Sequence, residues 1–169
     1  RYSEFGNSTT ECGLELGADL QLRDLGDVPI LEQAADHAAI ADAAAEAARR
    51  GPVLCIGGDH SVTFPIVEGL SRVHGPLNLL HFDAHPDLYH DFEGNPRSHA
   101  SPFARIMEQG LARRLVQVGV RTWNRHNREQ AQRFGARIDQ GDVASVDLAA
   151  RPFVVTMEDG AEIKCRALI

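Results

Sequence analysis

Two short apolar runs, each breaking at once into a cluster of ionisable residues, constrain this chain most. Val53–Ile56 (VLCI) runs into Gly57-Gly58-Asp59-His60-Ser61, and Leu77–Phe82 (LNLLHF) runs into Asp83-Ala84-His85-Pro86-Asp87. A third run, Leu115–Val120 (LVQVGV), follows. The segments between them carry helix signals. Ser61 can cap a helix reaching about Val73, before Gly75-Pro76, and Ser101-Pro102 supplies an N-cap with proline at the first helical position. Strands alternating with helices of this length predict right-handed βαβ units and a parallel sheet buried on both faces. In such sheets reactive groups gather at the carboxyl ends of the strands. Both ionisable clusters fall there.

The flanks read differently. Residues 1–30 are loop plus one short strand ending in Asp27-Val28-Pro29-Ile30, and 31–50 form a helix stopped by Gly51. At the other end, alternating Phe153–Met157, a Glu158-Asp159-Gly160 turn and Ala161–Ile169 predict a β-hairpin.

Composition removes several classes of function. The 169 residues suffice for one sizeable core. A net charge of −7 argues against a nucleic-acid partner. No apolar stretch approaches a membrane span, so no membrane partner is expected. Cys12, Cys55 and Cys165 form neither a disulfide framework nor a CxxC site, which fits a reducing compartment and a cytoplasmic location. The chain starts at Arg1 without a methionine and reads as a piece of something longer.

If the first two strands are neighbours, His60, Asp83, His85 and Asp87 converge in one crevice. Asp59, Asp83 and Asp87 would repel there without a cation. Imidazole and carboxylate ligands at this spacing suit a divalent metal such as Mn²⁺, Zn²⁺ or Fe²⁺. His81, closing an apolar run, reads as a buried, satisfied core histidine rather than a ligand. His37, His74, His90 and His126 read as surface or loop residues.

Residues from about 1 to 138 resemble the ureohydrolase family, the arginase and agmatinase group. GGDHS at 57–61 and DAHPD at 83–87 are two of that family's metal motifs. The likeness extends to Asn7-Ser8-Thr9-Thr10, Gly26-Asp27-Val28-Pro29, Phe92-Glu93-Gly94-Asn95, Ser98-His99-Ala100-Ser101 and Leu115–Arg121. It implies a three-layer α/β/α sandwich around a parallel sheet, here incomplete, and a binuclear Mn²⁺ hydrolase that releases urea from a small guanidino substrate of arginine or agmatine type. By the motifs, His60, Asp83 and Asp87 would hold one metal, with Asp83 bridging to a second held by His85. His99 matches the family's proton-shuttle histidine. Asn95 and Ser98 lie on the loop that contacts the substrate's far end, and Asp59 would orient His60 or its loop from behind the ligands. A trimer or hexamer is expected of the complete protein.

Two departures accompany the resemblance. The family's third motif, Ser-x-Asp-x-Asp-x-x-Asp-Pro, is absent, and Asp139, Asp142 and Asp147 lack its spacing. From about Arg128 the sequence resembles the FAD-binding region of thioredoxin reductases. The expected division is therefore a partial ureohydrolase domain over 1–138 and a β-hairpin tail over 139–169 of uncertain origin, either a fused segment, the favoured reading, or a divergent ureohydrolase end. A non-catalytic truncated or fused chain is the alternative, with a fragment of a flavin-dependent disulfide reductase behind it.

Overall fold

The computed structural model describes residues 12–15, 18–19, 22–31, 35–136, 138, 141–150 and 152–165. The Asn7-Ser8-Thr9-Thr10 motif and Asp139 lie outside these. The first helix, α1, spans Asp36–Ala48. Eight of its thirteen residues are alanine, the strongest helix former. Ala41, Ala44, Ala45 and Ala48 are buried at the spacing that makes one helix face. That face lies against α2, Thr63–His74, where Gly69 allows a very close approach: a Cβ there would sit 2.1 Å from the Ala41 carbonyl oxygen. His37 Nε2 meets Glu68 Oε2 at 2.6 Å, and Arg72 reaches Asp42 at 2.7 Å, so polar pairs tie the same two helices together.

The cap of the second helix differs from the sequence expectation. A 3-10 turn over His60–Val62 precedes α2, and Asp59, not Ser61, caps it by accepting the Ser61 amide at 2.9 Å. An aspartate two residues earlier reaches the free amides better than a serine already inside the turn.

Strand β1, Leu77–Phe82, pairs in parallel with β2, Ala112–Val118, from Leu77↔Ala112 to Phe82↔Val118 with one irregularity after Leu77. Helix α3, Pro102–Glu108, lies in the crossover between them. Proline stands at its start as expected, but Ser101 makes no cap and its hydroxyl turns to Ser98 Oγ at 3.0 Å. After β2 comes α4, Arg125–Arg133, capped by Asn124 accepting from the Asn127 amide.

Alternation along β1 separates two cores. Leu79 packs with Phe64, Val67, Leu88, Phe103, Ile106 and Ala131 on the helical side. Leu80 packs on the other side against Val155, with Val146, Phe153 and Ile163 around it. These last residues belong to an antiparallel sheet of β3 (Val143–Asp147), β4 (Phe153–Met157) and β5 (Glu162–Cys165), in that order. The expected hairpin is β4–β5, and β3 adds a strand that the sequence reading did not identify. The architecture is α/β with a parallel sheet, layered among the described residues as helices, parallel pair and tail sheet.

One expected strand is missing. Val53–Ile56 forms no ladder, and Leu54 is 78% and Ile56 92% exposed. A strand exists through pairing, and among the described residues this run has no ladder partner. The stretch ending at Ile30 likewise carries no strand, and Ile30 is exposed. Among the described residues no helix is long and apolar enough to cross a membrane.

Candidate metal centre

The carboxyl ends of β1 and β2 are joined by hydrogen bonds beyond the ladder itself. The Asp83 amide donates to the Val118 carbonyl at 3.1 Å, and the Ala84 carbonyl accepts from the amides of Arg121 and Thr122 at 2.8 and 3.1 Å. The Thr122 hydroxyl adds a third donor to that carbonyl at 2.9 Å. The DAHPD segment is therefore held by its backbone at the sheet end, with Pro86 and Asp87 buried. Asp87 takes a positive φ of 48°, an uncommon conformation that aspartate tolerates better than most residues. Its carbonyl accepts the Phe103 amide at 3.2 Å, which anchors it to the start of α3.

His60 reaches the same place from the other motif. Its Nδ1 lies 3.0 Å from Thr63 Oγ1, which fixes the ring. Its Nε2 lies 3.2 Å from Asp87 Oδ2, within ion-pair range, yet the direction makes no hydrogen bond and Nε2 is buried without a partner. A buried ring nitrogen facing a carboxylate oxygen without sharing a proton is the arrangement a cation between them would satisfy.

Asp83 is the next link. Its Oδ1 accepts from the His85 amide at 2.7 Å and faces His85 Nδ1 at 3.1 Å. Burial raises the Asp83 pKa, but the hydrogen bonds from His85 outweigh it, and the carboxyl is held below its ordinary range. Asp83 Oδ2 lies 3.8 Å from His81 Nε2. The four ligands expected from the sequence are thus brought to one sheet edge, in two pairs, His60–Asp87 and Asp83–His85.

His81 stands between these pairs. It is buried, as expected of a core histidine, but it belongs to the site: among the described residues, His60, His81 and Asp87 bring three candidate ligand atoms within 4.8 Å of one another. Its ring stacks on His60 with centroids 5.4 Å apart and touches Phe103 at 4.3 Å. Burial, with the neighbouring His60, pushes its pKa down to about 4. The sequence signal was the two-residue period of a strand, which puts His81 on the same face as Asp83.

Asp59 holds the turn rather than the His60 ring. It accepts from both the amide and the hydroxyl of Ser61, and these bonds, aided by the charges of His99 and His60, keep its carboxyl below its usual range. His99 is exposed, edge-on to Phe92 at 5.5 Å, and near enough to influence Asp59 electrostatically. Asn95 closes a tight turn: it pairs with Phe92 across Glu93 and Gly94, both at positive φ, and accepts the Arg97 amide at 2.9 Å. Ser98 is buried against Ser101 and the Ala100 amide. Asn95 and Ser98 thus use these polar atoms inside their own loop. Asp147 caps Ala149 on the tail sheet, and Asp142 offers its carbonyl to Glu158 there.

The model of the arginase family matches residues 2–151. The chain belongs to the arginase family. An arginase named mitochondrial from Medicago truncatula is 45% identical over 168 residues, covering 94% of this chain and 49% of the relative. Arginase 2, named chloroplastic/mitochondrial, from Arabidopsis thaliana is 49% identical over 139 residues, covering 76% and 40%. N(1)-aminopropylagmatine ureohydrolase from Thermus thermophilus is 39% identical over 131 residues, covering 74% and 44%. A solved arginase structure from Medicago truncatula superposes with a TM-score of 0.70 at 48% identity, covering 76% of this chain and 44% of that one. This arginase-family chain spans about half, or less, of the length of these relatives. The organellar names of the plant arginases overturn the cytoplasmic expectation, which rested only on a cysteine pattern that reducing organellar compartments share. The resemblance of the tail to thioredoxin reductases finds no support in these comparisons, and the family match runs past residue 138 into the tail.

Proposed function

We propose that this chain carries the metal-binding half of a ureohydrolase site, one that cleaves a guanidino C–N bond of an arginine- or agmatine-type substrate to release urea. The observation that carries the reading is the unpartnered His60 Nε2 facing Asp87 Oδ2 at 3.2 Å, on the two motifs of an arginase-family chain. His60, Asp83, His85 and Asp87 would hold the metal, with Mn²⁺ the expected ion. Divalent ions bound there would lower the pKa of water and offset negative charge developing at the guanidino carbon. His99, exposed and close enough to Asp59 to influence it electrostatically, would hand a proton to the leaving amine. Asn95, on the neighbouring turn, is the candidate for the far end of the substrate, with Ser98 shaping that loop. Arginine and agmatine share the guanidino group, and the relatives' names include both an arginase and an aminopropylagmatine ureohydrolase. A homotrimer or hexamer is the expected assembly of the complete protein.

The four ligands include only two carboxylates, too little negative charge to hold two divalent ions close together. The 169 residues by themselves are therefore expected to bind metal but release negligible urea. The test assays urea from arginine and agmatine with Mn²⁺, on these residues and on a protein extended with the Ser-x-Asp-x-Asp-x-x-Asp-Pro segment. Turnover only in the extended protein, abolished by His60→Ala, is the expected result. An extended, metal-loaded protein that releases no urea from any guanidino substrate would overturn the ureohydrolase reading.

A further inference from the structure

The side chain behind His81 decides what His81 can do. Gln117 Nε2 lies 2.6 Å from the Pro86 carbonyl oxygen and 3.1 Å from His81 Nδ1. Only the NH₂ end of the amide can face a carbonyl oxygen so closely, because the flipped amide would set two acceptors against each other. The NH₂ group has two protons, so one goes to Pro86 and the other to His81. Nδ1 of His81 is then the acceptor, and the single proton of the imidazole sits on Nε2. That Nε2 points at Asp83 Oδ2, 3.8 Å away, and a protonated ring nitrogen has no lone pair for a metal.

We propose that Gln117, held by the Pro86 carbonyl, locks His81 in the Nε2–H form, making it a positioning donor to the Asp83 carboxylate instead of a third ligand beside His60 and Asp87. A small closure of the 3.8 Å gap completes the hydrogen bond to Asp83, and His81 then stands near His60 and Asp87 without offering a lone pair to an ion there. Such a donor would take a lone pair of Asp83 Oδ2, while Oδ1, which accepts the His85 amide at 2.7 Å, keeps a second lone pair for the ion. Gln117 sits on β2 directly opposite His81 in the parallel register, so the sheet itself delivers the amide to the ring. The part that concerns metal rests on the ureohydrolase reading; the tautomer does not.

The test is ¹⁵N NMR of the full chain, labelled at histidine, at neutral pH without metal and then with Zn²⁺ as a diamagnetic probe. His81 is expected to show a protonated Nε2 and an unprotonated Nδ1, and to keep that pattern when Zn²⁺ shifts the His60 nitrogen. An Nδ1–H form, or a His81 Nε2 that takes the zinc shift, would overturn the proposal. If zinc moves no histidine, the metal-centre reading fails while the tautomer result still decides the lock. Gln117→Glu, whose carboxylate would accept from Nδ1–H, is expected to reverse the tautomer. Gln117→Leu is expected to weaken Zn²⁺ binding by roughly 10–100-fold, the effect typical of losing a partner behind a metal ligand. A Gln117→Glu protein that folds by circular dichroism and keeps the wild-type tautomer would also overturn the lock.

Discussion

Leu79 and Leu80 are consecutive on β1 yet end in different cores, one under the helices and one under the three-stranded tail sheet. Each is at most 2% exposed. The parallel pair is therefore covered on both faces, and the tail forms part of the packing of this molecule. Leu80→Ala is expected to cost about 2–5 kcal/mol, as much as Leu79→Ala, because each empties a closed site. Denaturant unfolding checks it. A Leu80→Ala protein with wild-type stability would mean that residues 143–165 do not pack on the sheet.

Gly69→Ala tests the contact of α1 with α2. Alanine would ordinarily strengthen a helix by up to about 1 kcal/mol over glycine. Here its methyl would fall 2.1 Å from the Ala41 carbonyl oxygen and 2.9 Å from Ala44 Cβ, so the helices must separate. Overpacking of this kind costs about 1–3 kcal/mol, and the net effect is expected to be a lower thermal midpoint.

How much of this could be read from the sequence follows from what each feature depends on. Helices α1, α2 and α3 and the β1–β2 pair are encoded locally, in alanine content, the proline at the start of α3 and apolar runs, and they formed near the expected positions, although neither Ser61 nor Ser101 caps its helix and α4 was not foreseen. His60 meets Asp87 and Asp83 meets His85 at the end of β1, although the strand expected before His60 did not form and the turn at Asp59 positions it instead. Val53–Ile56 has the composition of a strand but depends on a neighbour for its ladder, and composition does not supply one. Strand β3, with the sequence VASVD, is short and mostly exposed, so its pairing to β4 left little apolar pattern to find. His81 reads in sequence as a plain core histidine because burial and site membership look alike there. Its partner Gln117 is 36 residues away and meets it only through the parallel register.

Glu68 makes acid stability sensitive to one surface pair. Its partial burial raises the pKa, but hydrogen bonds from His37 and Arg72 outweigh this and leave it lowered. The unfolded chain then takes up the proton at a higher pH than the folded one. The stabilisation is complete above the ordinary glutamate range and is lost as pH falls through that range and the lowered folded value beneath it. Glu68→Gln is expected to be less stable at pH 7 and to show a shallower loss in that window, as read by urea midpoints across pH.

The central claim is that the two motifs build a cation site around His60 and Asp87. Calorimetric titration of the metal-free chain with Mn²⁺, alongside His60→Ala and Asp87→Asn, tests it most directly. The expected result is saturable binding in the wild type that either substitution abolishes while circular dichroism stays unchanged. Mn²⁺ binding that survives in both folded variants, or no binding in the folded wild type, would contradict the account.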